Sequence, residues 1–548
     1  MDVIILAAGI ASRLSKFTHN IIPKYLVNLD DHTGLYYIIK YWNHYANNIY
    51  LVIHTKFNII TNFYIKNILK EYSNKIIIIN YNNNDGTAYT LNYILKNELK
   101  DKGIKNLLLT WCDLYPIDTI DFSQLSNVNM KHNNIYIFTN GNKCRYLLDN
   151  NKIKKLDNSD GNIIGIYYFQ HYKPFDLDDS CKNNDIVDYL ESIGEIIEYK
   201  LNNIIDYGDQ EKYLDILKNK KNIDLRCRYF NDIKIIDKNK LLKKGINDKG
   251  KEIIKYEKNW YKYIHSFENK IFNSIPKLYN IYEYAILIEY KEKHIPLYKF
   301  FTLYEEKILE LDSDIERSIK NAEYNIIKIT ILKNILNKLN QLHSIENRKE
   351  SKNIFLNNLK KETYDKLYDR KKIIEDFIDN FGNIKKVNNI YINNFDNIVN
   401  KCKKIILQYY ETLEKYDYSI ILGDCQFSNI LIHPDNIDDI IFIDPRGYFG
   451  NSIIYGPIEY DYAKLLYGIS GYDKFNFNDF NIKFINNEMI EFEICGFYYD
   501  KNIINKYFHK VHKAYLVLIW LSLAEYNKNN IWKCLASYYY GLYLGTIL

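Results

Sequence analysis

Apolar runs of strand length alternate with amphipathic stretches through the first two hundred residues. Residues 3 to 8 are continuously apolar and end at Gly9, and the periodicity then predicts a helix near 34–45, a strand near 49–54 and a helix near 57–71. A strand at 75–80, a helix at 87–99 and a strand at 106–112 continue the series, with further strands at 135–139 and 163–169 and a helix at 210–217. Unbroken apolar strands alternating with helices predict βαβ units and a sheet covered on both faces. In such a sheet ligands collect at the carboxyl ends of the strands, where Gly9, Asn80 and Asp113 fall.

A different pattern begins after a Lys-Asn run near 220. Residues 233–245 read as a hairpin, 251–264 as a helix carrying Glu257, and 284–290 as a strand; several helices come next, one ending at His343, and the apolar run 514–524 reads as a buried helix. The chain then places two short apolar runs around polar ends: Ser419 to Ile432 contains Asp424 and Asn429, and Ile440 to Gly447 contains Asp444. Carboxylate and amide oxygens converging in this way suit Mg2+ and a phosphoryl group.

At 548 residues the chain is too long for one core. Its 47% hydrophobic and 26% charged residues mark a globular protein. The net charge of +5 is spread over a sequence with only eight Arg and no basic cluster, which argues against a nucleic-acid partner. The eight cysteines (112, 144, 181, 227, 402, 425, 495 and 534) include no Cys-x-x-Cys pair, so reduced thiols and no zinc are expected. No apolar run has the length of a membrane span, and the start of the chain lacks a signal pattern. A cytoplasmic enzyme without membrane insertion is therefore expected, and a homo-oligomer is compatible with it.

The segment Leu6-Ala-Ala-Gly-Ile-Ala-Ser-Arg-Leu14, followed by Pro23-Lys24-Tyr-Leu26, resembles the nucleotidyltransferases that make nucleotide sugars and CDP-choline, over about residues 1–218. The resemblance implies a Rossmann-like, GT-A-like mixed α/β sheet for residues 1–220. Leu6, Ala8 and Gly9 would lie against the nucleotide, and Arg13 and Lys24 would place positive charge around the triphosphate. Asp113 and Asp206 match the family's metal aspartates and would hold Mg2+, while Gly86-Thr87-Ala88 resembles the base-binding segment of the sugar-type members.

The second half resembles the aminoglycoside phosphotransferase and choline kinase superfamily, on Leu422-Gly423-Asp424, Asn429 and Asp444. The implied fold is an α+β bilobal protein-kinase-like domain, with a small lobe over 221–295 and a helical lobe over 296–548. Asp424 would act on the proton of a substrate hydroxyl, and Asn429 and Asp444 would bind Mg2+. Lys244, or failing that Lys243, would contact the ATP phosphates and pair with Glu257. Asp461 matches an acidic residue that the family often has downstream, whereas His343 reads as a packed helix-end residue.

This chain departs from the superfamily pattern in having Leu422 where the usual residue is His, in lacking a Gly-rich loop over 225–250, and in its Asp444-Pro-Arg-Gly447 segment. That segment resembles phosphotransferases from surface-polysaccharide gene clusters. Taken together, the two resemblances imply a bifunctional enzyme that uses ATP and a second NTP (CTP, UTP or GTP, with Mg2+ at both sites) to phosphorylate a small alcohol or sugar and then activate it. Two alternatives stay open: choline or ethanolamine kinase joined to a cytidylyltransferase, and a nucleotidyltransferase joined to a degenerate kinase-like binding module.

Overall fold

The computed structural model describes the chain except residues 10, 11, 19, 20, 30, 31, 84, 126–133, 158–160, 171–176, 178, 220–230, 268–273, 382, 383, 414, 415, 478, 487 and 495–497. The boundary expected near 220, Ile10 and Ala11 of the glycine loop, and Cys227 and Cys495 lie outside the described residues. The chain divides into two compact units, the first over Met1–Asn222 and the second formed by Ile223–Asn527 with Trp532–Leu548.

In the first unit, besides the hairpin Tyr146–Asp149 with Lys152–Lys155, the strands are β1 (Asp2–Ala7), β2 (Ile49–His54), β3 (Ile76–Tyr81), β4 (Leu107–Trp111), β5 (Leu114–Pro116), β6 (Asn134–Cys144), β7 (Gly161–Phe169), β8 (Glu195–Lys200) and β9 (Ile204–Asp206). Seven of them form one sheet in the order β8-β6-β7-β4-β1-β2-β3. β1 runs parallel to β2 and β4, and β2 runs parallel to β3. Helices Gly34–Trp42, Asn58–Asn67 and Gly86–Asn97 provide the crossovers that parallel neighbours need. The sheet is mixed because β7 is antiparallel to both β4 and β6. Val3, Ile4 and Ile5 are fully buried, as a central strand covered on both faces requires.

Two connections pin segments of this unit from outside the main sheet. β5 and β9 pair with each other, antiparallel, with Asp206 opposite Leu114. This ladder carries a residue from the end of the unit back to the carboxyl end of β4. The start of helix Gly86–Asn97 is fixed against the segment 183–186, where the amide of Asn183 donates to Asp85 O at 2.7 Å.

The second unit opens with a four-stranded antiparallel sheet built from β10 (Asn231–Asp237), β11 (Lys240–Gly245), β12 (Leu278–Ile281) and β13 (Ala285–Glu289), in the order β10-β11-β13-β12. Helix Asp248–Ile264 packs on it, capped at Asn247, whose side chain accepts from the Gly250 amide. Its buried positions Ile254, Glu257, Tyr261 and Ile264 follow the i, i+3, i+4 stripe of a helix facing a core. Long helices follow, among them Asp314–His343, Phe395–Leu413, Ile458–Ile469 and Lys510–Tyr526. The last of these contains the apolar run read as a buried helix. Between helices Lys352–Leu359 and Lys366–Asn380 the backbone winds as a π-helix over Lys360–Asp365, which brings Glu362, Thr363 and Tyr364 all into buried positions.

The two apolar runs around residues 419–447 do not form one strand each. Three short strands are present, Asp417–Ile420, Ile430–His433 and Asn436–Phe442. The first pairs with Asn347–Lys349, whereas the other two pair with each other, Ile430 opposite Phe442. The first apolar run is broken at residues 421–429, so the polar residues it carries sit in a loop between separate sheets. Among the described residues no helix is long and apolar enough to cross a membrane.

Gly86 has φ +82, and a Cβ there would stand 2.6 Å from Asn184 O and 2.8 Å from the Asn184 amide nitrogen. Gly86→Ala combines a left-handed backbone with a backbone clash, and is expected to destabilise the first unit by about 1–3 kcal/mol, read as a lowered midpoint in denaturant unfolding.

Candidate functional site

At the carboxyl end of β4, Asp113 is almost buried and receives Lys24 Nζ on Oδ2 at 2.5 Å. Its other oxygen, Oδ1, is buried without a hydrogen-bond partner among the described atoms. Burial alone would lower the Lys24 pKa, but the Asp113 carboxylate overrides it and holds the ammonium above its ordinary range. The charge of Arg13, exposed in the 3-10 turn Ser12–Leu14, is close enough to act on Lys24 in the opposite sense.

The β5–β9 ladder brings Asp206 to the same place. The Tyr207 amide donates to Asp113 O at 2.9 Å, and Tyr207 Oη donates to Cys112 O at 2.6 Å. A Cβ on Gly208 would stand 2.7 Å from Asp113 Oδ2 and 3.2 Å from Asp206 Oδ1, so both carboxylates flank one point that only glycine leaves open. Asp206 is also bound by Lys212 at 2.6 Å, a partner that sequence reasoning missed because nothing in a lysine-rich helix singles it out.

Leu6 and Ala8 are half-buried and Gly9 is exposed at the carboxyl end of β1, on the edge where Asp113 also lies. Gly86 and Thr87 behave differently from the expectation. Thr87 Oγ1 donates to Asp185 Oδ1 and accepts from the Ile186 amide, both at 2.9 Å. The hydroxyl expected to read a nucleobase is thus engaged in holding the neighbouring segment, and Gly86 is pressed against Asn184.

In the second unit the pairing expected of Lys244 is made by Lys243. Lys243 Nζ lies 2.8 Å from Glu257 Oε2 and 2.7 Å from Asp444 Oδ1, with only 4% of its side chain exposed. Lys244 is exposed on the opposite face of the strand. The alternation of β11 decides this, since neighbouring strand residues point to opposite faces. Burial, then the pull of Lys243, set the Glu257 carboxyl, and burial wins, pushing it up to about 7. The two carboxylates hold the Lys243 ammonium above its ordinary range against burial.

The loop that carries Asp424 is organised by a single carboxylate. Asp461, fully buried, accepts from the Leu422 amide on Oδ2 at 2.9 Å and from the Gly423 amide on Oδ1 at 2.6 Å. His343 Nε2 makes a third contact with Oδ2 at 3.0 Å, and Cys425 Sγ reaches Asp461 O. His343 is therefore packed and bonded at once. Leu422, which replaces the usual His, still receives support through its backbone. Trp260 Nε1 donates to Ile421 O at 2.8 Å, tying the Glu257 helix to the same loop.

Asp424 itself is bridged by Lys464 Nζ to Oδ1 at 3.0 Å, and Asn429 Nδ2 donates to Asp424 O at 2.9 Å. Asp444 adopts φ +53, a left-handed conformation uncommon outside glycine and asparagine. Arg446, two residues on, donates its amide to Leu422 O at 2.7 Å. The Lys464 and Asp461 contacts were out of reach of motif spacing, because both depend on helix Ile458–Ile469, some 40 positions along the chain from the Asp424 loop.

Among the described residues no three His, Cys, Asp or Glu side chains converge as a metal cage. Asp113 and Asp206 form one two-carboxylate set, and Asn429 and Asp444 stand at the ends of two segments joined by the Ile443 amide, which donates to Asn429 O at 3.0 Å. Both pairs offer sparse, oxygen-only donors of the kind Mg2+ accepts when phosphate and water complete its shell, and the unpartnered Oδ1 of Asp113 fits that use.

No family model matches the chain, and no curated protein matches it. Among solved structures it is similar to one from Bacillus anthracis described as a glucose-1-phosphate thymidylyltransferase, at 16% identity and a TM-score of 0.35, covering 41% of this chain and 98% of that one. A nucleoside-diphosphate-sugar pyrophosphorylase from Vibrio cholerae is similar at 16% identity and 0.31, covering 39% and 99%. The inositol-1-phosphate CTP transferase from T. maritima is similar at 14% and 0.30, covering 41% and 98%. At scores this low the likenesses decide nothing about activity, which has to be read from the side chains.

Asp473 gives a pH signature for the loop. It is fully buried against Phe427 and Ser428, neither carboxyl oxygen is well partnered there, and burial pushes the group up to about 7. A raised carboxyl pKa favours the folded state at low pH and loses that advantage as pH climbs to 7. The stability of the chain should therefore decline from pH 4 to 7 relative to Asp473→Asn, and the variant should melt higher above pH 7.

Proposed function

We propose that the chain is a bifunctional transferase. In its C-terminal unit a small alcohol or sugar plus ATP gives the phosphate ester and ADP. In its N-terminal unit that ester plus CTP, UTP or GTP gives the NDP-activated product and pyrophosphate. The product would serve glycan or lipid synthesis.

The observation that carries the phosphotransferase half is Lys243 bridging Glu257 and Asp444. A buried lysine held between a helix carboxylate and a loop carboxylate is the arrangement that a kinase-like fold uses to place ATP phosphates. This supports a small lobe at 231–289 and a helical lobe after it. Asp424, the group nearest an incoming hydroxyl in this reading, accepts its proton as the oxygen attacks phosphorus. Lys464 sits where it can compensate charge developing on the transferred group. Asn429 and Asp444 would hold Mg2+, which supplies charge neutralisation between the phosphates when bound.

The nucleotidyl half rests on Asp113 and Asp206 flanking one point, with Lys24 and Arg13 beside them. Lys24 and Arg13 counter the triphosphate charge, Leu6, Ala8 and Gly9 line its approach, and the two aspartates would hold Mg2+. The bonding of Thr87 argues that base selection relies on other groups. A degenerate binding module is disfavoured for the second unit by the intact support of the Asp424 loop through Asp461.

Separate variants test the two halves. Asp424→Ala should lower ATP-dependent phosphorylation about 100-fold or more while pyrophosphate release from a supplied phosphate ester survives, and Asp113→Ala should do the reverse. Loss of both reactions in either folded variant would break the two-site reading. Lys243→Met should weaken ATP use about 100-fold, and Lys244→Met should leave it within about twofold, measured as kcat/KM for ATP.

A further inference from the structure

Beside Asp424 and Lys464 the second unit contains a row of charged groups that the reaction does not use, Arg446, Glu362, Lys366 and Arg370. Arg446 lies against the Asp424 loop and forms a two-pronged pair with Glu362, NH1 to Oε1 at 2.7 Å and NH2 to Oε2 at 2.8 Å. The same Oε1 also receives Tyr460 Oη at 3.3 Å and Lys366 Nζ at 3.1 Å. Lys366 thus shares its one carboxylate oxygen with Arg446 and Tyr460.

The row leads back to Asp424. Lys464, bonded to Asp424, stands 5.9 Å over the Tyr460 ring, and Tyr460 Oη accepts from Arg446 NH1 at 2.9 Å. Along it, Lys464 is balanced by Asp424 and Arg446 by Glu362, while Arg370 donates to the Ser522 carbonyl and pairs with Glu525 at 3.7 Å. Lys366 has only a share of Glu362, and its side chain is 31% exposed whereas that of Glu362 is 4% exposed. Of these four cations Lys366 is the one without a carboxylate of its own, and its side chain, like that of Arg370 at 27%, is partly exposed.

Two further features mark the place. Burial, then Arg446, push the Lys366 ammonium down to about 7, against the pull of Glu362. An additional anion would relieve this. The carboxylate and lysine are also positioned by the π-helix Lys360–Asp365, a backbone form that is rare and concentrated at functional sites.

We propose that the acceptor phosphorylated by the C-terminal unit carries an anionic group, a carboxylate or a phosphate, that binds at Lys366 while its hydroxyl faces Asp424. This rests on the kinase reading above and narrows it. A quaternary ammonium alcohol such as choline would meet a cation at this position and is rejected.

The test is calorimetric binding to the full-length chain of D-glycerate, glycerol 3-phosphate, glycerol and choline, with wild type, Lys366→Met and Lys366→Arg. The wild type should bind at least one of the two anions about tenfold or more tightly than glycerol or choline; Lys366→Met should lose that margin and Lys366→Arg should retain it. The Arg variant separates loss of charge from loss of folding. Equal binding of the anions to wild type and Lys366→Met, failure of both anions to bind the wild type, or tighter binding of choline would overturn the proposal. The kinase reading is judged apart from this: if no alcohol receives phosphate from ATP while Lys366-dependent anion binding persists, that reading falls and the anion site stands.

Discussion

A fully buried carboxylate must be surrounded by donors or it destabilises the fold, and Asp461 meets that demand with the amides of Leu422 and Gly423 and with His343. The rest of the second unit hangs on this one anion. By collecting consecutive amides it fixes the direction in which the chain leaves Ile421, and hence where Asp424 and Asn429 stand. The Arg446 amide, bonded to Leu422 O, then brings the Asp444 segment alongside, and Lys243 closes the arrangement from the sheet. The first unit reaches a similar result with backbone pairing, since the β5–β9 ladder rather than a buried charge draws Asp206 to Asp113.

Much of the architecture was legible because it depends on local periodicity. The helices at 34–42, 58–67 and 86–97 and the strands between them fall close to where apolar spacing puts them, and so do the hairpin at 231–245 and the helix that carries Glu257. The candidate residues Asp113 and Asp206 meet, and Glu257 and Asp444 meet across a lysine. What stayed illegible depends on which face a residue takes or on distant helices. Lys243 and Lys244 are chemically identical, and only the register of β11 against β10 and β13 decides which one turns inward.

Contacts made far along the chain lie outside what local patterns give. His343 looks like a helix-end packing residue and is packed, yet it also bonds to Asp461, 118 positions away. Thr87 sits in a suggestive Gly-Thr-Ala string, but its hydroxyl is engaged by Asp185 and Ile186. Glu362 and Lys366 belong to a stretch with no motif, and Lys464 follows Asp461 in its segment without itself matching one. Their importance comes from convergence in space, which a single sequence does not encode in any short window.

The π-helix at Lys360–Asp365 has an architectural implication of its own. A turn with an extra residue shifts the phase of the numbering after it by about 100°, so helices Lys352–Leu359 and Lys366–Asn380 bury one continuous stripe although its positions are out of step by one residue across the turn, Leu359 and Leu367 standing eight apart rather than seven. Removing a single residue from 360–365 would leave a longer, more regular helix with Leu359 and Leu367 seven apart and still on one face, but three successive positions such as Glu362, Thr363 and Tyr364 could no longer all be buried. The extra residue thus serves the Glu362 cluster and not the core. A chain shorter by one here would keep its packing and lose the turn that points Glu362 inward toward Arg446.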